Sequence, residues 1–317
     1  MPDWSNFKET DRQQWMLQAS QEAKGNTDIQ KLAYQLEGFG GFSPFLTADE
    51  AFFLPSVDTH ATLPGVHIVE KTASRANEIA LRMLERGASC LWFHVGENWN
   101  LEDLLAGIYI EMVPVILDVP LANGPFCADL QTFLQQLSPE AAANILIAGN
   151  REIQTHQMIR LDALQDFRSR SHQIHQAMQL REVENEKALL LVIELKPDFF
   201  AQVAELRFIH QLNQRQDLPN PVFVIAKTSP VKEEWSEIHP LIPVTYQLLS
   251  AHLGMAHAAF GMDTSMGDEL SRISLHCQHI LQQEGKTGMV SDPLAGSYLT
   301  DQIMHVLERS KISALGD

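Results

Sequence analysis

The sequence has few cysteines, few basic residues and no long apolar segment. Its three cysteines, Cys90, Cys127 and Cys277, are far apart and lack Cys-x-x-Cys spacing, so we expect reduced, buried thiols. Lysine and arginine number 23 against 40 acidic residues, and the net charge of -17 argues against binding to nucleic acid or to anionic membranes. No apolar run approaches the roughly 20 residues of a membrane-spanning helix, and the N-terminus has no signal-peptide pattern. These absences predict a cytoplasmic protein.

Several common site motifs are missing as well. The sequence has no Gly-x-Gly-x-x-Gly, no P-loop and no Gly-x-Ser-x-Gly, so it offers no recognisable dinucleotide, nucleotide or nucleophile motif. Two His-x-x-His pairs occur, His172 with His175 and His276 with His279. Neither pair has a carboxylate or cysteine at ligand spacing, so we predict no metal site and no cofactor bound by this chain alone.

What the sequence does contain, from about residue 66, is a regular alternation of short apolar runs with helical segments. Such alternation predicts a parallel sheet covered by helices. Eight strands in this length favour a (β/α)8 TIM barrel, and a doubly wound open sheet is the alternative. The strand cores are His67–Val69, Leu91–Phe93, Val115–Leu117, Ile145–Ile147, Met158–Leu161, Leu190–Ile193, Val222–Ile225 and a weaker run at His257–Phe260. We therefore assign residues 1–60 to an N-terminal helix and extended arm, and residues 61–317 to the barrel domain.

The segments around these strands are also predictable. Helices are expected over Ser74–Arg86, Leu101–Glu111, Phe126–Leu137 and Asp198–Asn213, and a polar surface helix over Arg168–Lys187. The arm is rich in phenylalanine, with Phe42, Phe45, Phe52 and Phe53. So much aromatic area predicts that the arm packs on its own barrel or on a partner.

Chemistry in a barrel lies at the carboxyl ends of the strands. The polar residues at those ends are Lys71, His94, Asp118, Asn150, Asp162, Glu194, Lys227 and Asp263. Among these we single out His94, Asp118 and Lys227 as candidate catalytic residues, because an imidazole, a carboxylate and an amine can carry general acid–base chemistry. The alternative is that the rim residues are solvated or form structural ion pairs with one another.

A stretch near the C-terminus carries a more specific signal. It contains Asp292-Pro293 and Gly296-Ser297-Tyr298, which follow a helix with Arg272-Ile273, Gln278 and Ile280-Leu281-Gln282. This string resembles the end of the barrel domain of methylmalonyl-CoA mutases. Phe199-Phe200, Ala204 and Leu206-Arg207 resemble a second stretch of that family, and the segment from Lys24-Gly25 to Ala48-Asp49-Glu50 is similar to the N-terminal arm of its small, β-type subunits.

The resemblance also has clear gaps. Catalytic subunits carry a Ser-Gly-Tyr-His strand, which is missing here, and an Arg-Thr-His strand, where this chain has Ile225-Ala226-Lys227-Thr228-Ser229. Asp58-Thr59-His60 starts like the Asp-x-His-x-x-Gly loop of cobalamin-binding domains, but the glycine, Gly65, comes two places too late. We expect no cobalamin-binding domain in the chain, and a radical rearrangement needs that cofactor.

Two functions remain in view. The resemblance implies a catalytically silent small subunit in a heterodimer with a mutase catalytic subunit. In such a complex adenosylcobalamin serves the partner, and the family barrel holds the CoA ester in a channel through its core. The alternative is a stand-alone barrel enzyme or CoA-ester-binding protein that uses the rim residues. Trp92, Phe93 and Phe223 are candidates to fill the barrel interior, but the strand register is needed to know which way each faces.

Overall fold

The computed structural model describes residues 10–23, 29–47, 60–96, 98–119, 125–148, 156–183, 188–216, 222–229, 241–288 and 292–313. Across these residues, none of the helices combines the length and the apolar character needed to cross a membrane. The arm phenylalanines Phe52 and Phe53 and the rim residue Asn150 lie outside the described residues.

Eight parallel strands form one sheet, and all eight predicted strands are confirmed. In chain order they are β3 (Leu63–Val69), β4 (Cys90–His94), β5 (Val115–Asp118), β6 (Ile145–Ala148), β7 (His156–Leu161), β8 (Ala188–Leu195), β9 (Val222–Thr228) and β10 (Ala258–Phe260), after a small antiparallel hairpin of β1 (Tyr34–Leu36) and β2 (Gly40–Phe42). Around the sheet the order is β6-β5-β4-β3-β10-β9-β8-β7. The first barrel strand therefore pairs with the last, as in a (β/α)8 TIM barrel, and this order excludes the doubly wound alternative.

Helices cover the outside of this sheet. They are α1 (Arg12–Glu22), α2 (Ala73–Glu85), α3 (Leu101–Leu105), α4 (Pro125–Gln136), α5 (Pro139–Ala143), α6 (Phe167–Val183), α7 (Phe199–Gln216), α8 (Leu241–Leu253), α9 (Asp268–Gln283) and α10 (Tyr298–Ser313). The expected helix over Leu101–Glu111 is wrong beyond Leu105, because Gly107 adopts a φ of 73° and turns the chain. Strands β6 and β7 form the two edges of the sheet: among the described residues they lie in contact but are not paired by backbone hydrogen bonds. Residues 149–155 join them, a link shorter than the dozen residues of a helical crossover.

Side chains fill the interior of the barrel. On each strand alternate residues face inward, and the buried inward cluster consists of Cys90, Trp92, Ile116, Leu146, Ala148, Leu190, Val192, Ile225, Ala258 and Phe260, with Leu63 and Phe223 packed against it. Trp92 and Phe223 thus fill the interior as suggested, whereas Phe93 packs outward among the helices. Phe260 lies so close over Gly65 that a Cβ there would be 2.4 Å from its ring. The interior is a packed core and not a channel.

Helix α7 is deeply buried in the outer layer of helices, because α6, α8 and α10 pack around it. Two arginine–carboxylate pairs fix it. Arg170 of α6 donates to Glu205 at 2.5 Å, and both side chains are fully buried. Arg207 donates through both terminal nitrogens to Asp292, at 2.8 and 2.7 Å. The helix expected over residues 168–187 is therefore no simple surface helix, since its Arg170 and Ser171 are buried.

The β1–β2 hairpin of the arm packs on its own barrel, and α1 packs on the arm. Trp15 of α1 stacks on Phe45 with ring centroids 5.2 Å apart. In the hairpin, Tyr34 donates from its hydroxyl to Asp198 at 2.5 Å, at the start of α7. Glu37, in the hairpin turn, pairs with Lys196 at 3.1 Å. The hairpin is thereby held against the carboxyl end of β8.

Replacing Asp292 by alanine should leave the guanidinium of Arg207 buried without its carboxylate. We expect the free energy of unfolding to fall by about 3 kcal/mol in urea denaturation. The matched control is Glu308→Ala, which removes the partly exposed Arg215–Glu308 pair between α7 and α10. That change should cost no more than about 0.5 kcal/mol. Equal losses in the two variants would contradict a special role for the buried pair.

Candidate functional site

A cavity of about 520 Å³ opens at the carboxyl ends of the strands. It is lined by His67, Val69, Trp92, His94, Asp118, Arg160, Asp162, Val192, Glu194, Lys227, Asp263 and Ser265. Six of the eight predicted rim residues therefore meet here: His94, Asp118, Asp162, Glu194, Lys227 and Asp263. Lys71 does not line the cavity, and its backbone carbonyl accepts from the indole N–H of Trp99 at 3.2 Å.

Period-two alternation explains why these side chains meet. His94 follows Trp92 by two residues on β4, Asp118 follows Ile116 on β5, and Lys227 follows Ile225 on β9. Residues two apart on a strand share a face, so the inward face that fills the barrel continues upward into the polar rim. The registers agree, because His94 pairs with Asp118 across β4 and β5.

One half of the cavity is organised by Asp263, which follows β10. Its Oδ2 lies 3.5 Å from Nζ of Lys227 and 3.7 Å from Nδ1 of His67. Its Oδ1 accepts from the backbone N–H of Ser265 at 3.1 Å. Burial alone would raise the pKa of Asp263, but the Ser265 hydroxyl and the neighbouring cationic groups lower it overall. Asp263 is therefore deprotonated, and it is already hydrogen-bonded to Ser265.

His67, the buried member of this half, is held neutral. Burial lowers its pKa to about 3, and the positive charge of Lys227 acts in the same direction against the attraction of Asp263. The His67 ring also lies 4.4 Å from the Trp92 ring. A neutral imidazole beside a carboxylate and an ammonium can donate one hydrogen bond and accept another at physiological pH, but it does not add charge.

The other half of the cavity is organised by Asp118. Its Oδ2 accepts from Arg160 of β7 at 2.7 Å and lies 3.5 Å from Nδ1 of the more exposed His94. Trp92 forms the floor between the halves, with the Arg160 guanidinium and the Lys227 ammonium each 5.8 Å from its ring centroid. Cations at this distance from an indole face are attracted to it.

Three polar residues of the cavity were missed by sequence reasoning. They are His67, Arg160 and Ser265. His67 and Arg160 lie inside predicted strands, and knowledge of the strand register would have placed both on the inward face. Ser265 lies in the loop after β10, where it donates to Asp263, and no local pattern marks it.

The charges that line the cavity pair with one another, and this disfavours the binding of a large anion. The lining carries four carboxylates, on Asp118, Asp162, Glu194 and Asp263, against the two permanent cations of Arg160 and Lys227. Each of these cations already contacts a carboxylate. Because the floor is closed by Trp92, a ligand can occupy the mouth of the barrel but cannot pass through its centre.

Comparison with known proteins gives a partial likeness. No family model matches the chain. A stretch of 89 residues is 36% identical to the methylmalonyl-CoA mutase small subunit of Streptomyces virginiae, which covers 26% of this chain and 13% of that protein. The chain thus matches only a small part of that relative's length. Among solved structures, dihydropteroate synthases from Yersinia pestis and Thermus thermophilus are each 15% identical, with TM-scores of 0.42 and 0.36, and cover 73% and 72% of this chain and 100% of their own.

The neutral state of His67 has a measurable effect on stability. The folded ring stays unprotonated down to about pH 3, whereas the unfolded ring takes up a proton below pH 6.5. Stability is therefore lost as the pH falls from about 6.5, and His67 accounts for a loss of about 1.4 kcal/mol at pH 5.5 relative to pH 8. Urea denaturation at pH 8 and at pH 5.5 measures this loss. The drop in the free energy of unfolding between the two pH values should be about 1.4 kcal/mol larger in the wild type than in His67→Leu. An NMR titration of His67 with a midpoint near 6.5 would overturn the assignment.

Proposed function

We propose that this chain is a methylmalonyl-CoA mutase small-subunit-like protein, catalytically silent by itself, that supports a catalytic subunit. That subunit would bind adenosylcobalamin and interconvert methylmalonyl-CoA and succinyl-CoA. The observation that carries the proposal is the filled barrel interior, in which Trp92, Phe223 and Phe260 occupy the centre. The resemblance implies a channel for the CoA ester in catalytic barrels, and a packed interior leaves no space for one.

The pairing of the rim residues supports the same proposal. Lys227 stands in the strand where catalytic subunits carry Arg-Thr-His, and here its ammonium contacts Asp263. Arg160 is bound to Asp118. A catalytic cation must be available to the substrate, whereas these two stabilise carboxylates of the same chain. The partial identity to a mutase small subunit points in the same direction.

In this proposal the partner binds the carboxyl face, around the mouth of the barrel. Large apolar side chains are exposed there in the loops and helix starts that follow the strands: Leu164 is 92% exposed, Ile242 64%, Met266 63%, Tyr246 47% and Phe200 46%. The arm continues this surface, since the Tyr34 ring contacts the Phe200 ring at 5.8 Å. Exposed apolar area of this kind marks protein interaction sites.

The proposal predicts a complex that does not need the rim residues. We expect the chain, coexpressed with the mutase catalytic subunit of its source, to elute with it in equal amounts in size-exclusion chromatography. Combined alanine substitution of His94, Asp118 and Lys227 should leave the mutase activity of the complex within about twofold. Phe200→Asp should weaken the complex at least tenfold, as expected for an aromatic contact residue.

The control for the interface is Tyr109→Asp. Tyr109 is 72% exposed but lies in the connection between α3 and β5, away from the carboxyl face. This variant should bind the catalytic subunit like the wild type. A chain that elutes alone when both subunits are folded would contradict the proposal.

The second candidate function is a stand-alone enzyme or CoA-ester-binding protein. The observation that favours it is the cavity itself, in which six polar rim residues converge. It predicts that the isolated chain binds an acyl-CoA in isothermal titration calorimetry. The same alanine substitutions should then reduce affinity or turnover by orders of magnitude, which is the opposite of the result expected for a silent subunit.

A further inference from the structure

Three histidine rings meet at the end of the barrel opposite the cavity. His60 precedes β3, His257 precedes β10, and His210 lies in the second half of α7. One ring nitrogen from each lies within 4.8 Å of the other two. The three residues are far apart in the sequence, so no spacing motif announces them.

Two of these rings present free nitrogen atoms. Nε2 of His60 and Nε2 of His210 are both buried and have no hydrogen-bond partner, and His210 is only 6% exposed. The backbone carbonyl of Met255 lies beside both rings and raises the pKa of each against the effect of burial. A histidine that binds a metal ion through one ring nitrogen usually donates from the other to a carboxylate, a backbone carbonyl or water, and the Met255 carbonyl is a group near both rings that can accept such a bond.

The backbone at Met255 is itself unusual. It adopts a φ of 61°, in the left-handed region that few non-glycine residues occupy. The turn ends α8, with the N–H of Ala256 donating to the carbonyl of Ala251 at 3.0 Å. A left-handed residue just after a helix is a common way to end it, and here it lets the last carbonyls of α8 be paired. This turn places the Met255 carbonyl beside two of the rings.

The spacing of two ring pairs matches that of ligands of one ion. The ring centroids are 5.4 Å apart for His60 and His210, 5.2 Å for His210 and His257, and 4.3 Å for His60 and His257. Zinc–nitrogen bonds of about 2.0 Å at tetrahedral angles place the centroids of neighbouring imidazole ligands about 5.2 Å apart. Both pairs that include His210 match this distance, whereas the stacked pair of His60 and His257 is closer and has to open when the ion binds. Burial lowers the pKa of all three rings, that of His210 to about 3, so each is in the neutral form that binds metals.

His257 is the ring that must change. Its Nδ1 accepts from the backbone N–H of Val224 at 3.0 Å, which places its proton on Nε2. Coordination by His257 requires this ring to turn and give up that hydrogen bond. One neutral hydrogen bond is small beside the free energy with which zinc binds protein ligands. His60 and His257 are only partly buried, so an ion and a water ligand can reach the cluster.

We propose that His60, His210 and His257 form a binding site for a single zinc ion, with water as the fourth ligand. Imidazole nitrogen is a preferred ligand of zinc. The ion would connect the entry to β3, the loop before β10 and α7. Because it lies at the amino ends of the strands, where barrels carry stabilising and not catalytic residues, the role of the ion is structural. It is independent of the function proposed for the opposite face.

The test uses the purified chain after removal of metal with a chelator. Titration of Zn²⁺ against a chromogenic chelator should show one tight equivalent, and Co²⁺ should give the visible absorption of a nitrogen-ligated site. Saturating Zn²⁺ at 100 times its dissociation constant should raise the Tm by about 5 °C. His60→Gln should weaken binding at least tenfold, while His60→Cys, which keeps a zinc ligand, should retain it.

The matched control is His172→Gln, because His172 lies on α6 outside the cluster and contacts Gln176. It should bind zinc like the wild type. The metal-free Tm of each variant reports whether it is folded. If the wild type shows no saturable zinc binding, or if His60→Gln binds as tightly as the wild type, the proposal is wrong, and a water molecule bridging the three rings would account for the free nitrogens.

Discussion

The buried ion pair between Arg207 and Asp292 is the contact on which the outer layer of this barrel depends. It joins α7 to the segment before α10, and Arg170 joins the same helix to α6 through Glu205. Arg170 also donates to the carbonyl of Glu194, at the end of β8. Such pairs cost much to break once they are buried. Helix α7 is thus fixed on two sides, and through β8 its position sets the rim of the cavity.

The Arg207–Asp292 pair joins two of the stretches that carry the sequence resemblance. Leu206-Arg207 and Asp292-Pro293 were two separate strings in the sequence, and the fold brings them into one bidentate contact. The segment that contains Asp292 is thereby attached to α7 through Arg207. In this chain the two strings are thus explained by packing, and neither lies among the residues that line the cavity at the barrel mouth.

The strands were predictable because each is a short apolar run between polar segments, and even the weak run at His257–Phe260 forms a strand. Six rim residues were predictable because they follow those runs. The inward face was not, since a shift of one residue reverses every side chain, and so Trp92 could not be separated from Phe93. The buried face of α6 was hidden because Arg170 and Ser171 are polar and paired. The histidine cluster was hidden because only the fold brings its members together.

The closed interior and the ion-paired rim both result from the alternation of inward and outward side chains along the strands. Trp92 fills the centre and also carries Arg160 and Lys227 above its ring, so removing the indole would open the interior and take away the ring contact of both cations. Opening the barrel would still require more than that change. Phe260 packs directly over Gly65, where there is no room for a side chain, and Phe223 lies below it against His257. A continuous channel therefore needs coordinated substitutions on three strands, which is why the packed interior is a property of the whole barrel and not of one residue.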